Sequence, residues 1–241
     1  MDLLRFYSRL LVSVPYLYFK LLRGASKIIK NPQNYTDQQM FDYALGMTRR
    51  MQRVFSTTTD YYGLENIPQD GGFIMYSNHQ GKYDALGIVL AQPRPISILW
   101  DIQSAKQPIT RQASKLFKCE VIDNKNLTNP LRPMQRIAQR VQEGRPFLIF
   151  PEGGYNNNKN TLQEFQSGCF ITSTLSKSTI VPVVIYDSYK SMNGNRIFGK
   201  VKTQVHFLPP IPYEEFKHLN RKSLAALVKD RIQQKLDQLN Q

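Results

Sequence analysis

Residues 72–90 read Gly-Phe-Ile-Met-Tyr-Ser-Asn-His-Gln-Gly-Lys-Tyr-Asp-Ala-Leu-Gly-Ile-Val-Leu. The run Gly72–Ser77 is short and apolar and ends at a polar Asn78, which predicts a buried strand. Gly81 permits a reversal, and Asp84–Ala91 continues in a helical pattern. Strand, turn and helix in succession are the repeating unit of an α/β sheet. Further candidate strands are Ile96–Trp100, Phe147–Phe150, Ile180–Ile185 and Val201–Phe207. Candidate helices are Thr110–Phe117, Pro133–Glu143, Leu162–Ser176 and Ser223–Leu239. The segment from Arg145 to Phe150 reads as a buried strand stopped by Pro151. The expected fold is α/β, a mixed sheet flanked by helices, over residues 57–241.

Upstream the period changes to helical. Thr36 with Gln39 forms a possible capping box, after which Met40, Ala44, Met47, Met51 and Val54 recur at helical spacing. Such a Met-rich stripe is more often core packing than a binding surface. Arg49, Arg50 and Arg53 come late in this helix.

In residues 1–30, Arg5, Arg9, Lys20, Arg23, Lys27 and Lys30 fall within an arc of about 80° on a helical wheel. Leu3, Tyr7, Leu10, Val14, Leu17, Leu21 and Ile28 lie opposite, and Pro15 is expected to kink or split the helix. An apolar face opposite a cationic stripe suits a helix lying in a membrane interface. The competing reading is a helix docked on the protein's own core with its basic face in water. The two helices are expected to form an amphipathic hairpin, residues 1–56, ahead of the main domain.

Lys and Arg number 32 against 18 Asp and Glu, a formal charge of +14. That balance favours polyanionic partners such as anionic lipid, phosphorylated substrates, an acidic carrier protein or nucleic acid. No zinc-finger, basic-zipper or RRM pattern accompanies it, so a nucleic-acid partner is not expected. Cys119 and Cys169 are far apart and read as buried thiols of a reducing compartment. Asn-x-Ser/Thr matches at Asn34 and Asn126 read as chance. No apolar run reaches the roughly 18 residues of a spanning helix, and no signal-peptide pattern opens the chain. A peripheral protein inside the cell is expected.

Two loops beyond strand ends hold the candidate chemistry. In the first, His79 and Asp84 meet only if the chain leaves a strand, reverses at Gly81 and enters a helix. A carboxylate on one imidazole nitrogen fixes the tautomer and frees the other nitrogen to accept a proton from a hydroxyl. The bland alternative is a surface histidine beside a helix-capping aspartate. The chain has no G-x-S-x-G, S-x-x-K or H-E-x-x-H pattern, which weighs against serine hydrolases and zincins. His206 and His218 read as structural or exposed. The second loop, Phe150-Pro151-Glu152-Gly153-Gly154-Tyr155, follows a buried strand, and its glycines allow backbone N–H groups to turn toward an anion. A simple strand-to-loop turn with an exposed carboxylate is the alternative there.

Together the loops resemble the glycerolipid acyltransferase family that includes lysophosphatidate acyltransferases. Asn78-His79 with Asp84 matches its N-H-x₄-D motif, and Phe150-Pro151-Glu152-Gly153 matches its F-P-E-G motif, in the same order. Supporting similarity runs from Gly63 to Pro212. The resemblance implies transfer of an acyl group from acyl-CoA or acyl-carrier protein to a lysophospholipid hydroxyl, most often 1-acylglycerol-3-phosphate, at the cytoplasmic face of the membrane. It implies His79 as general base, Asp84 as its orienter, Asn78 and Phe150–Gly154 on the substrate side, and neither metal nor cofactor. A non-catalytic membrane-binding protein with this fold is the alternative.

Two positions depart from the family. Many members carry arginines where this chain has Tyr155 and Asn124. Neither residue replaces a bidentate guanidinium. Phosphate then falls to Lys82, Lys125, Lys159 or Lys190, or the acceptor differs.

Overall fold

The computed structural model describes Pro15 and residues 19–123, 131–192 and 200–241. Residues 1–14 and 16–18, on which the first half of the expected interfacial helix and its kink depend, lie outside the described residues, as do Asn124, Lys125 and Asn126.

Helical backbone over 19–30 (α1) is followed by a 3₁₀ turn, Pro32–Asn34, and a helix Asp37–Val54 (α2). The α2 N-terminus carries the expected capping box, with Thr36 Oγ1 accepting from Gln39 N and Gln39 Oε1 from Thr36 N. The two helices cross closely at Gly24, where a Cβ would stand 2.0 Å from the Tyr43 hydroxyl. Tyr43 Oη donates to Leu21 O at 3.1 Å across the same crossing.

The strands and remaining helices follow in this order: Thr57–Tyr62 (β1), Phe73–Ser77 (β2), Asp84–Val89 (α3), Ser97–Asp101 (β3), Ile102–Ala105 (α4), Pro108–Leu116 (α5) and Glu120–Ile122 (β4). After these come Leu131–Gln142 (α6), Phe147–Ile149 (β5), Ile171–Ser176 (α7), Thr179–Tyr186 (β6), Val201–Phe207 (β7), Tyr213–Phe216 (α8) and Arg221–Leu239 (α9). The seven described strands form one sheet in the order β1-β7-β6-β2-β5-β3-β4. It is mixed, as expected: β6 and β7 pair antiparallel, and the other neighbours pair parallel.

Helices cover both faces. On one side Leu21, Ala25 and Ile28 of α1 and Met40, Phe41, Ala44, Leu45 and Met47 of α2 join α3 and α5 residues over the sheet. On the other, Ile137 of α6, Phe170, and Leu224, Val228 and Ile232 of α9 pack against Ile74, Tyr76, Phe147 and Ile149. Strands buried on both faces explain the continuous apolar runs of β2, β5 and β6.

Two sequence expectations change. Thr57–Tyr62 is a strand although its residues, Thr-Thr-Thr-Asp-Tyr-Tyr, are mostly polar; it is the sheet edge and only Thr57 is buried. Leu162–Ser176 is helical only from Ile171, after a 3₁₀ turn Ser167–Phe170. The preceding stretch is held open because Gln166 N donates to Pro151 O at 2.8 Å and Gln163 reaches into the second loop.

Candidate active site

Adjacent parallel strands deliver the two motif loops to one edge of the sheet. Tyr76 of β2 pairs with Ile149 of β5, so continuing that register sets His79 across from Glu152. The side chains confirm the alignment: Glu152 Oε1 accepts His79 N–H at 3.1 Å. Because β1 and β7 run opposite to β2, the start of β1 reaches the same edge, where Thr57 Oγ1 lies 2.7 Å from Ser191 Oγ. Gln52 near the end of α2 donates to Tyr83 Oη at 2.9 Å, tying that helix to the first loop.

The first loop makes the reversal that its sequence requires. Asp84 N donates to Gly81 O as α3 begins, and His79 Nδ1 lies 2.6 Å from Asp84 Oδ2. The Asp84 side chain is fully buried and that of His79 is 19% exposed. Oδ2 also accepts Gln80 N–H and, at 2.9 Å, Gly81 N–H. An ionised carboxylate so placed accepts a hydrogen bond from Nδ1–H and leaves the Nε2 lone pair free. Phe150 stacks on the imidazole at 4.3 Å between centroids and 22° between planes. Tyr155 meets it edge-on at 4.8 Å and 73°. The histidine plane is therefore held by one ring on its face and another at an angle.

Asn78, expected on the substrate side, is completely buried. Its Nδ2 donates to Ile185 O at 2.9 Å and its Oδ1 accepts Ile185 N–H at 2.8 Å. It braces the loop against β6 instead of facing solvent. Glu152 is 8% exposed, not an exposed turn carboxylate, and Gln163 Nε2 donates to its Oε2 at 2.6 Å. Burial pushes the Glu152 carboxyl above the ordinary carboxylate value, against the hydrogen bonds from Gln163 and His79 N–H. Pro151 is buried. Gly153 adopts φ +73°, and a Cβ there would collide with the Gln166 side chain. Its N–H closes the turn onto Phe150 O at 3.1 Å, so it is spent within the loop and not offered to an anion. Gly154 O accepts from Gln163 Nε2 at 2.9 Å.

Of the lysines considered for phosphate, Lys190 is paired with Asp187 at 2.5 Å, whereas Lys82 and Lys159 are exposed. Among the described residues no group of His, Cys, Asp or Glu is arranged to hold a metal. Burial pushes both cysteine thiols up to about 12.

A third loop, following β6, completes the site and carries no motif. Ser188 Oγ donates to Asp84 Oδ1 at 2.6 Å, and Ser188 N donates to Gln80 Oε1 at 3.0 Å. Asn160 links this loop to the second, accepting from Gln80 Nε2 and donating to Asp187 Oδ1, both at 2.9 Å. The sequence offers no signal for Ser188, Gln80, Asn160 or Gln163. They are ordinary polar residues whose roles appear only once three strand ends converge.

The family model described as Acyltransferase matches residues 58–186. The 1-acyl-sn-glycerol-3-phosphate acyltransferase of Escherichia coli (strain K12) is 23% identical, over 96% of this chain and 93% of that protein. The 1-acyl-sn-glycerol-3-phosphate acyltransferase alpha of Bos taurus is 28% identical over 76% of this chain, a match that spans 64% of the bovine protein's length. The crystal structure of the 1-acyl-sn-glycerophosphate acyltransferase PlsC from Thermotoga maritima superposes with a TM-score of 0.76 at 18% identity, over 98% of this chain and 94% of that one. That likeness is one of fold.

Proposed function

We propose that this chain, which belongs to the acyltransferase family, moves a fatty acyl group from a thioester to the hydroxyl of a lysophospholipid. The donor class is acyl-CoA or acyl-carrier protein, and the acceptor is 1-acylglycerol-3-phosphate, giving phosphatidate. The acceptor reading is supported by the names of the relatives in E. coli and cattle.

The observation that carries the mechanism is the 2.6 Å contact of His79 Nδ1 with a fully buried Asp84 carboxylate. Asp84 orients the imidazole, and Nε2 takes the acceptor hydroxyl proton as that oxygen attacks the thioester carbonyl. The new ester C–O bond forms, the C–S bond breaks, and the proton passes from His79 to the departing thiolate. No enzyme-bound acyl intermediate is needed. Glu152 holds the His79 backbone through its N–H, and the turn at Gly153 and Gly154 borders the acceptor. Phe150 and Tyr155 limit water at the imidazole.

Residues 1–56 are assigned to the surface of an anionic membrane, on its cytoplasmic face, with 57–241 as the catalytic domain. Arg23, Lys27 and Lys30 of α1 point outward, and Phe19 is 61% exposed. No helix among the described residues is long and apolar enough to cross a membrane. Leu21 and Ile28, however, are buried against the protein's own core. Membrane affinity in this segment of α1 therefore rests on its cationic face.

The test is a purified-enzyme assay crossing lysophosphatidate and other lysolipids with both thioester types, reading thiol release and lipid product. His79→Ala and Asp84→Ala are each expected to lower kcat by about a hundredfold or more while the fold persists. Undiminished turnover in His79→Ala would reject the mechanism.

A further inference from the structure

The Asp84 carboxylate has four hydrogen-bond partners, and one of them comes from outside both motifs. Oδ2 is taken by His79 Nδ1–H and by the Gln80 and Gly81 backbone N–H groups. Oδ1 faces Ser188, whose side chain is buried, with Oγ at 2.6 Å. Gln80 Oε1 is also within 3.0 Å of this hydroxyl, but it already accepts Ser188 N–H. A carboxylate at the shorter distance outcompetes a neutral amide oxygen for the one hydroxyl proton.

The loop is built to keep Ser188 there. Asp187 before it sits at φ +63°, a left-handed conformation that a residue other than glycine adopts at a cost. Asn160 holds both the N–H and the carboxylate of Asp187, each at 2.9 Å. Lys190 pairs with the other oxygen of that carboxylate at 2.5 Å. Gln80 Nε2 closes the network on Asn160 Oδ1 at 2.9 Å and Ile185 O at 3.0 Å.

We propose that Ser188 is a positioning residue for acyl transfer: its hydroxyl fixes the Asp84 carboxylate and spreads its charge, so that Asp84 orients His79 without binding its proton too tightly. This rests on reading His79 as the base and Asp84 as its orienter. Removing the hydroxyl leaves Oδ1 unpartnered and concentrates negative charge beside the imidazole, which strengthens the imidazolium and withholds the free base at neutral pH. The other ionisable groups around the pair are Glu152 and Tyr155 of the second loop, the Asp187–Lys190 pair, and exposed Lys82. None of these is altered by the substitution.

The experiment uses the full chain with ¹⁵N-labelled histidine, which gives three imidazoles to follow: His79, His206 and His218. In Ser188→Ala the His79 titration is expected to rise by about 0.5–1 pH unit, with the acid limb of the kcat profile rising alongside it. On that acid limb kcat falls by the matching factor, about 3- to 10-fold, the loss closes at alkaline pH, and KM for both substrates is unchanged. In an Asp84→Ala background the same substitution moves nothing, since the effect passes through Asp84. A loss merely structural in origin lowers kcat equally at every pH and leaves the His79 titration in place. That result, or a downward shift, overturns the proposal. If Ser188→Ala does not fold, Ser188→Cys, whose thiol is a weak donor, carries the same expectation and the same refutation. An unmoved His79 signal with His79→Ala inactive removes only this inference; full activity in His79→Ala removes the base itself.

Discussion

At the scale of single residues, the first motif divides its labour between adjacent positions. His79 presents a free nitrogen, whereas Asn78 beside it is buried and gives its amide to both backbone groups of Ile185. Asn78→Ala takes the acceptor from the buried Ile185 N–H, while Ile185 O keeps its bond from Gln80 Nε2, and is expected to cost about 1–3 kcal/mol of stability, read by urea denaturation. A change below about 0.5 kcal/mol would show that water fills the gap. Tyr155 poses a different question, because it stands where many related acyltransferases carry arginine. A guanidinium there adds charge-assisted hydrogen bonds to a phosphomonoester. Tyr155→Arg is therefore expected to lower KM for lysophosphatidate about tenfold and to leave KM for an uncharged lysolipid unchanged. Equal changes for both acceptors would argue that Tyr155 is remote from the headgroup. Tyr155→Phe, which keeps the edge contact with His79, should hold kcat within about twofold.

At the scale of elements, α1 resolves the choice its helical wheel left open over residues 19–30. Leu21, Ala25 and Ile28 belong to the protein core, so deleting the segment would strip apolar cover from α2 and the sheet. Charge reversal is the cleaner probe. Arg23→Glu, Lys27→Glu and Lys30→Glu together are expected to weaken binding to anionic vesicles by at least about a hundredfold at low salt, since losing roughly 1 kcal/mol per cation near the surface already gives that factor. The melting temperature should barely move, since all three side chains are exposed. Unchanged vesicle affinity would assign membrane contact to another part of the molecule. Legibility in the sequence followed burial. Strands covered on both faces, such as β2, β5 and β6, announced themselves as apolar runs, and the α2 cap as a pair of residues at fixed spacing. Edge strand β1 did not, because an exposed edge needs no apolar pattern. The stretch before Ile171 misled because its helical spacing lost to hydrogen bonds from Gln163 and Gln166 to the second loop. For the same reason the motifs gave two loops of the site and nothing of the third: Ser188 meets Asp84 across 104 residues.

For the whole molecule, the sheet edge opposite β4 couples folding to pH through a histidine outside the active site. His206 in β7 stacks on Tyr62 of β1 at 4.4 Å and 8°, and its Nε2 lies 2.9 Å from Gln204 Oε1. Burial first, and then the charge of Lys235, lower its pKa from 6.5 to about 4. The folded state therefore holds a neutral imidazole that the unfolded chain protonates first. As pH falls from about 6.5 to about 4, the unfolded state gains a proton the folded state refuses, and stability drops on the order of 2–3 kcal/mol. Glu152 acts in the opposite sense, because its raised pKa lets the folded state take up a proton before the unfolded chain does as pH falls toward 4.5. His206→Phe keeps a ring against Tyr62 and removes the titrating group. The difference in unfolding free energy between wild type and this variant should consequently widen in the variant's favour between pH 6.5 and 4, and stay constant above pH 7. A pH-independent difference in denaturation series would mean that His206 is protonated within the fold, with the β1–β7 edge opening to water around it.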